Sequence, residues 1–324
     1  MQKVVNVLAV SSAVVSLAVV GSVGYVFANR TAIIDDIKSQ ALEAVLGGAG
    51  GLGGGAADFA QIIYKLEAQD VANSGWNYTS TSSYITLSFW VKSSVAQTYY
   101  VRLNAEDASK AYSFAISVTT SWQKITKSIP GNSNLVVNND NGCGIALYFI
   151  PFYGTNYTTS GHTNDSWITD SGSDQVTDMT STWWTTNDAT FELTGVQLEV
   201  GDVATDFEHK RYSDELKSCE RYYQTTNTYG TYNQNIGLGI SAGTNNIQFG
   251  IGFKTEMRTQ PTVILYNGVT GDANKVRSKA GANTTLNSVG YGRSPHGIDY
   301  SSSTSGDVVT GDWYQCVYTA DAEL

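Results

Sequence analysis

Apolar and polar residues alternate in short runs along most of this chain. From Tyr84 to Val91, Ile85, Leu87, Phe89 and Val91 fall on one side, and Thr86 and Ser88 on the other. That period of two is the mark of a strand with one buried face. Tyr112, Phe114, Ile116 and Val118 repeat it, as do Ile145, Leu147 and Phe149. Phe191, Leu193 and Gly195 begin a further strand that runs to Glu199. Asp140-Asn141-Gly142 precedes the third run and predicts a tight turn, because Asn-Gly tolerates positive φ. Strands at this spacing with no long helices between them predict a β-sandwich over 58–211. Phe59 to Leu66 is ambiguous, since its apolar residues also fit a helix. A helix is predicted from Ser213 to Tyr223 within a 212–224 connector. Ser213 would be its N-cap, Asp214 and Glu215 would lie in its first turn, and Leu216, Cys219 and Tyr223 would share one face. From 225 to 324 strands resume. Ile247, Phe249, Ile251 and Phe253 alternate, Pro261-Thr262 opens a strand from Val263 to Tyr266, and Trp313 to Tyr318 forms a closing strand.

The first 57 residues follow other patterns. Val4 to Asn29 carries no charged side chain. As a helix, Val4 to Ala28 would be about 38 Å long, against about 30 Å of bilayer hydrocarbon. Residues 1–30 therefore predict a membrane-spanning helix, with membrane contact through 4–28. A cleaved signal, ending near Val26-Phe27-Ala28, and a helix buried in a protein assembly are the alternatives. Ile34, Ile37, Ala41 and Ala44 recur at helical spacing, which predicts a short amphipathic helix over 31–46. Residues 47–57, with seven glycines between Gly47 and Gly55, read as a flexible linker.

Composition narrows the partners. The net charge is −10 and no stripe of Lys and Arg exists, so nucleic acid is not expected. Aromatic residues make up 11% of the chain, including 20 tyrosines, which suits strands and polar turns better than helical bundles. Cys143, Cys219 and Cys316 are far apart and form no metal-binding pair, so they read as free thiols. No zinc-protease or Walker motif occurs, and no G-x-G-x-x-G stands before a helix. The chain is read as a non-enzyme with no catalytic residues, cofactor or metal. Asp165, Asp170, Asp174 and Asp178 match no calcium-loop spacing and read as a solvated acidic loop.

Four stretches carry a resemblance: "IIYKLEAQDV" (62–71), "ITLSFWVKSS" (85–94), "TTSWQKITKSIPG" (119–131) and "FELTGVQLEVGDVATDFEHKRYSDELKSCERYYQ" (191–224). Together they resemble a jelly-roll module of marine tailed-phage structural and tail-fibre proteins, which is similar to galactose-binding-like carbohydrate-binding domains. The resemblance spans roughly 60–324 and makes 62–71 a strand. "FKTEMRTQPTVILY" (253–266) resembles the C-terminal domain of the same proteins, and residues 1–45 resemble a short membrane-helix protein of cyanophage virions. The resemblance implies an all-β chain of two jelly-roll-like sandwiches joined by a short helix. It also implies a homotrimer, placement in the virion, and contact with other virion proteins.

The segment from Pro151 to Asn187 shows little alternation yet holds Tyr153, Tyr157, His162, Asp165, Trp167, Trp183 and Trp184. Sugars offer flat C–H faces and hydroxyls, which aromatic rings and polar side chains match. These seven residues are the expected carbohydrate-binding set, on the premise that the tryptophans are exposed; the alternative is that they cap the sandwich or fill a subunit contact. The expected function is non-covalent adhesion to host-surface polysaccharide or lipopolysaccharide. A purely structural virion role and a membrane-anchored bacterial lectin or glycan-degrading enzyme remain as alternatives.

Overall fold

The computed structural model describes residues 15–18, 43–47, 54–186, 188–226, 237–243, 246–281, 283–286, 293–298, 301–302 and 308–323. They fall into two compact units, divided between Lys210 and Arg211.

The first unit contains β1 (Val15–Ala18), β2 (Glu43–Gly47), β3 (Phe59–Glu67), α1 (Ala68–Ala72), β4 (Tyr84–Ser93), β5 (Gln97–Ala105), β6 (Lys110–Val118), β7 (Gln123–Pro130), β8 (Cys143–Tyr153), β9 (Trp167–Thr169), α2 (Thr182–Thr185) and β10 (Thr190–Val200). Two antiparallel sheets result, ordered β1-β10-β4-β7 and β2-β3-β8-β5-β6-β9. The chain crosses repeatedly from one sheet to the other, the connectivity of a jelly-roll-like sandwich. Alternation dictates the core. Ile85, Leu87, Phe89 and Val91 of β4 face Val101, Leu103, Phe114, Leu147 and Phe149 of the larger sheet, all buried. Phe89 meets Phe149 edge-on at 5.0 Å across the gap, and Tyr99 meets Phe191 at 5.1 Å. Such pairs add to the stabilisation from buried area alone.

Several boundaries differ from the sequence reading. Phe59–Glu67 is a strand, as the resemblance implied, but Ala68–Ala72 is a helix rather than its continuation. Alternation on β10 breaks at Gly195, whose φ of 61° forms a bulge; Val196 and Leu198 then point inward. Glu43–Gly47 is a strand paired with β3, not the end of an amphipathic helix; the rest of 31–46 lies outside the described residues. Gly47 closes that strand, and a turn joins Asp58 N–H to Gly55 O, so the ends of the expected 47–57 linker are folded. Within the expected N-terminal helix, Val15–Ala18 is a strand on β10, and the remainder of 4–28 lies outside the described residues. No described helix is long and apolar enough to cross a membrane.

The second unit opens with α3 (Tyr212–Glu220). Its N-cap is Arg211, two residues before the expected Ser213, and it ends at Glu220, so Tyr223 lies on the following strand instead of the helix. Then come β11 (Tyr223–Thr225), β12 (Gly237–Gly243), β13 (Asn246–Phe249), β14 (Ile251–Gly252), β15 (Thr262–Tyr266), β16 (Lys275–Ser278), β17 (Asn283–Thr285), β18 (Arg293–Ser294), β19 (Gly297–Ile298), β20 (Ser301–Ser302) and β21 (Trp313–Asp321). β21 is the hub. It pairs with β12 and β16 over its first half and with β15 and β11 over its second. β14, β19 and β18 form a separate small sheet. Ile247, Phe249, Leu265, Val276, Tyr314 and Cys316 fill the core. The three cysteines form no disulfide, and burial pushes the Cys316 thiol up to about 12.

Candidate functional site

The outward side of the six-stranded sheet gathers the chemistry. Register places Ile63, Tyr148, Arg102 and Ser113 in one row across β3, β8, β5 and β6, and Lys65, Ala146, Asn104 and Ala111 in the next. These positions alternate with the core residues, so they point away from the sandwich interior. Yet Arg102, Asn104, Ser113 and Ala146 are almost fully buried. The 154–180 segment folds over the β5–β6 half of this face as a strap. Tyr100, Ile150, Tyr153 and Val176 form a second small core beneath it.

Polar contacts hold the strap. Arg102 Nη2 donates to Asp170, and Asn104 Nδ2 donates to Glu106 at 2.9 Å and to Asp170 at 3.4 Å. His162 lies between Ser113 Oγ on Nε2 and Asp174 Oδ1 on Nδ1, the latter at 2.7 Å. The Ser113 hydroxyl also faces Asn164 Oδ1 at 3.2 Å, to which it donates, so its single proton has two acceptors within reach when Asp174 accepts from Nδ1–H. This is the connectivity of a Ser–His–Asp triad. However, the Ser113 hydroxyl sits in mid-strand, only 1% of the residue is exposed, and the arrangement acts here as a latch.

The seven expected residues divide as follows. Trp183 is wholly buried, and its indole N–H donates to Thr190 O. Trp167, 9% exposed, donates to Pro130 O and packs on Tyr112. Trp184 is half-buried and stacked on Phe152. The premise of exposed tryptophans in this segment therefore fails, because the segment lies against the sandwich instead of projecting from it. Tyr153 is buried with its hydroxyl on Gln61, and burial raises its pKa well above the ordinary phenol range. Tyr157 is half-exposed, edge-on to Phe59 at 5.6 Å. His162 is the latch. Asp165 is exposed, has a φ of 61° and pairs with Lys127 at 2.5 Å. The four aspartates expected to form a solvated loop take separate partners: Lys127, Arg102, His162 and Thr158. Among the described residues no cluster suited to a metal ion occurs.

The β3–β8 half of the face stays partly open. Phe59, Gln61, Ile63, Lys65, Tyr148 and Tyr157 are each partly exposed along it. The Arg102 guanidinium lies 5.6 Å from the Tyr148 ring centre, a cation–π contact. Burial, with Glu106 next, pushes the Tyr148 hydroxyl up to about 12, so it remains a neutral donor at ordinary pH. Beside it, Arg102 Nε and Asn104 Oδ1 have no hydrogen-bond partner although both side chains are more than nine-tenths buried. Each such orphan costs roughly 1–3 kcal/mol.

The "GVQLEVGDVATDFE" block has a structural reason. Glu199 accepts from Thr205 N at 2.8 Å and from its hydroxyl at 2.7 Å, and Gln197 bonds to Glu199, Asp206 O and Glu208 N. These bonds staple the 201–208 return segment across the four-stranded sheet.

No protein family and no curated protein matches the chain. Among solved structures it is similar to a CBM4 module (12% identity, 52% of this chain and 83% of that chain, TM-score 0.25). It is also similar to a family 11 carbohydrate-binding module of a cellulosomal cellulase of Clostridium thermocellum (13%, 48% and 74%, TM-score 0.24). A third is the binding domain of botulinum neurotoxin serotype D/C (8%, 96% and 95%, TM-score 0.23). TM-scores of this size carry no inference about ligands.

Proposed function

We propose that the first sandwich binds glycans non-covalently along the β3–β8 strip. The observation that carries this reading is the pairing of a partly exposed Tyr148 ring with an unpartnered donor, Arg102 Nε, and an unpartnered acceptor, Asn104 Oδ1, two residues apart on β5. A sugar supplies a C–H face for the ring and hydroxyls that both donate and accept. Glu106, Asp170 and Gln61 add acceptors around them. Both orphan atoms are closed to bulk water, so a hydroxyl reaches them only when a neighbouring side chain gives way. In its finer form the reading makes the chain a phage virion adhesin for host polysaccharide or lipopolysaccharide, assembled as a trimer beside other virion proteins; its support there is the sequence resemblance alone.

The test is a glycan array, host lipopolysaccharide included, with the full-length chain and Tyr148→Ala. Binding that weakens about tenfold in the variant is expected for the loss of a stacking ring at a site centre. Array binding that the variant leaves unchanged would sink the strip as the site. The burial of Trp167 and Trp183 inside the chain itself takes them out of the argument for sugar binding, and a folded chain that binds no glycan would support a purely structural role.

A further inference from the structure

The opposite side of the same sandwich holds the two exposed tryptophans of the described residues. On the outward side of the four-stranded sheet, β4 presents Thr86, Ser88, Trp90 and Lys92. The return segment stapled by Glu199 covers Thr86 and Ser88, with Thr86 Oγ1 donating to Gly201 O at 2.7 Å. The cover stops before Trp90, which is 43% exposed, and Trp122 is 38% exposed. Trp90 pairs with Lys124 and Val91 with Gln123, so continuing the register sets Trp122 across from Lys92. The tryptophans thus occupy one diagonal of a four-residue patch, at roughly 7–8 Å, and Lys92 and Lys124 occupy the other. Lys92 Nζ lies 5.2 Å from the Trp122 ring centre and 3.0 Å from Glu192. Trp90 rests over the Gly195 bulge, where a Cβ would stand 3.3 Å from its ring.

We infer that this patch is a second binding site, independent of the tyrosine strip, and that its ligand is an acidic polysaccharide bearing carboxylates on its sugar rings. The two indoles take the C–H faces of the chain, and the two ammonium groups take its carboxylates. Charge complementarity selects this occupant: two lysines stand against one glutamate here, on a protein whose net charge is −10. A neutral glycan would leave Lys124 without use.

The experiment is affinity electrophoresis of the full-length chain through gels containing polygalacturonate, with a chelator present, and through gels containing its carboxyl-reduced, neutral form. Retention by polygalacturonate alone is expected, weakened about tenfold in Trp90→Ala/Trp122→Ala, weakened less in Lys92→Gln/Lys124→Gln, reduced by salt, and unchanged in Tyr148→Ala. Equal retention by the neutral polymer, or retention indifferent to the tryptophans, would overturn the assignment. So would the absence of retention, whether or not sedimentation reveals an oligomer that Trp90→Ala/Trp122→Ala dissolves. Unchanged melting of both double variants shows that they fold. Because the tyrosine strip has its own variant, failure on one face is distinguishable from failure on the other.

Discussion

The two outward sides of the first sandwich are built from the same alternating strands and end in opposite states. On the six-stranded side, Arg102, Asn104 and Ser113 are roofed by the strap and bonded to it, so much of their hydrogen-bonding capacity goes into holding the roof. On the four-stranded side, Trp90 and Trp122 stay in solvent because the return segment is fixed by Gln197 and Glu199 short of them. The lesson is that exposure of an aromatic is set by where covering segments are stapled, not by whether the aromatic sits in a loop or a strand. Trp183, in the short helix α2 between strands, is wholly buried, and Trp90 in a strand is not.

The sharpest way to break this contrast is alkali. Tyr99, Tyr112 and Tyr148 are each pushed up to about 12, first of all by burial. While the folded state keeps these protons, the unfolded chain loses them near pH 10. Their contribution to stability is therefore complete below about pH 10 and is lost as pH climbs toward 12. Urea melts across that window, followed together with tyrosinate absorbance, should show the midpoint falling as the phenols ionise. A next-smaller effect is expected of Trp183→Ala. It removes a fully buried indole where the strap's C-terminal end meets the core and should cost about 3–5 kcal/mol. Hydrogen exchange should show the 154–186 backbone losing protection along with it. The smallest effect belongs to the open side: Trp122→Ala should change stability by no more than about 0.5 kcal/mol in the same melts.

Much of this fold was legible in the chain. The apolar positions at 85–91, 112–118 and 145–149 matched inward faces residue for residue, because side chains of a strand alternate between its two faces and the one turned to the sandwich interior must be apolar. The Gly195 bulge was not legible, since a glycine that simply continues the period reads the same as one that breaks it. The strap was missed for a better reason. Aromatics amid Asp, Ser and Thr look like a projecting loop. The telling signal lay elsewhere, in β8, whose Ile-Ala-Leu-Tyr-Phe-Ile-Pro-Phe-Tyr run is apolar on both sides. Such a strand needs a cover on each face, and the neighbouring aromatic segment was the obvious source. Ser88, Trp90 and Lys92 mark an outward row of β4, but alternation alone does not tell how far a covering segment reaches along it.

The second unit carries a consequence for how the protein is made. Among the described residues β11, β12, β15 and β16, which lie far apart in the chain, each pair with β21. A ribosome delivers residues in order, so β11, β12, β15 and β16 emerge well before the strand that unites them. The described strands of the first sandwich are complete by residue 200, so it can close while synthesis continues. The second must wait for residues 313–321, holding unpaired edges and apolar side chains in the open meanwhile. Aggregation during expression should therefore begin in that half, and chaperones that shield nascent chains should act on it chiefly.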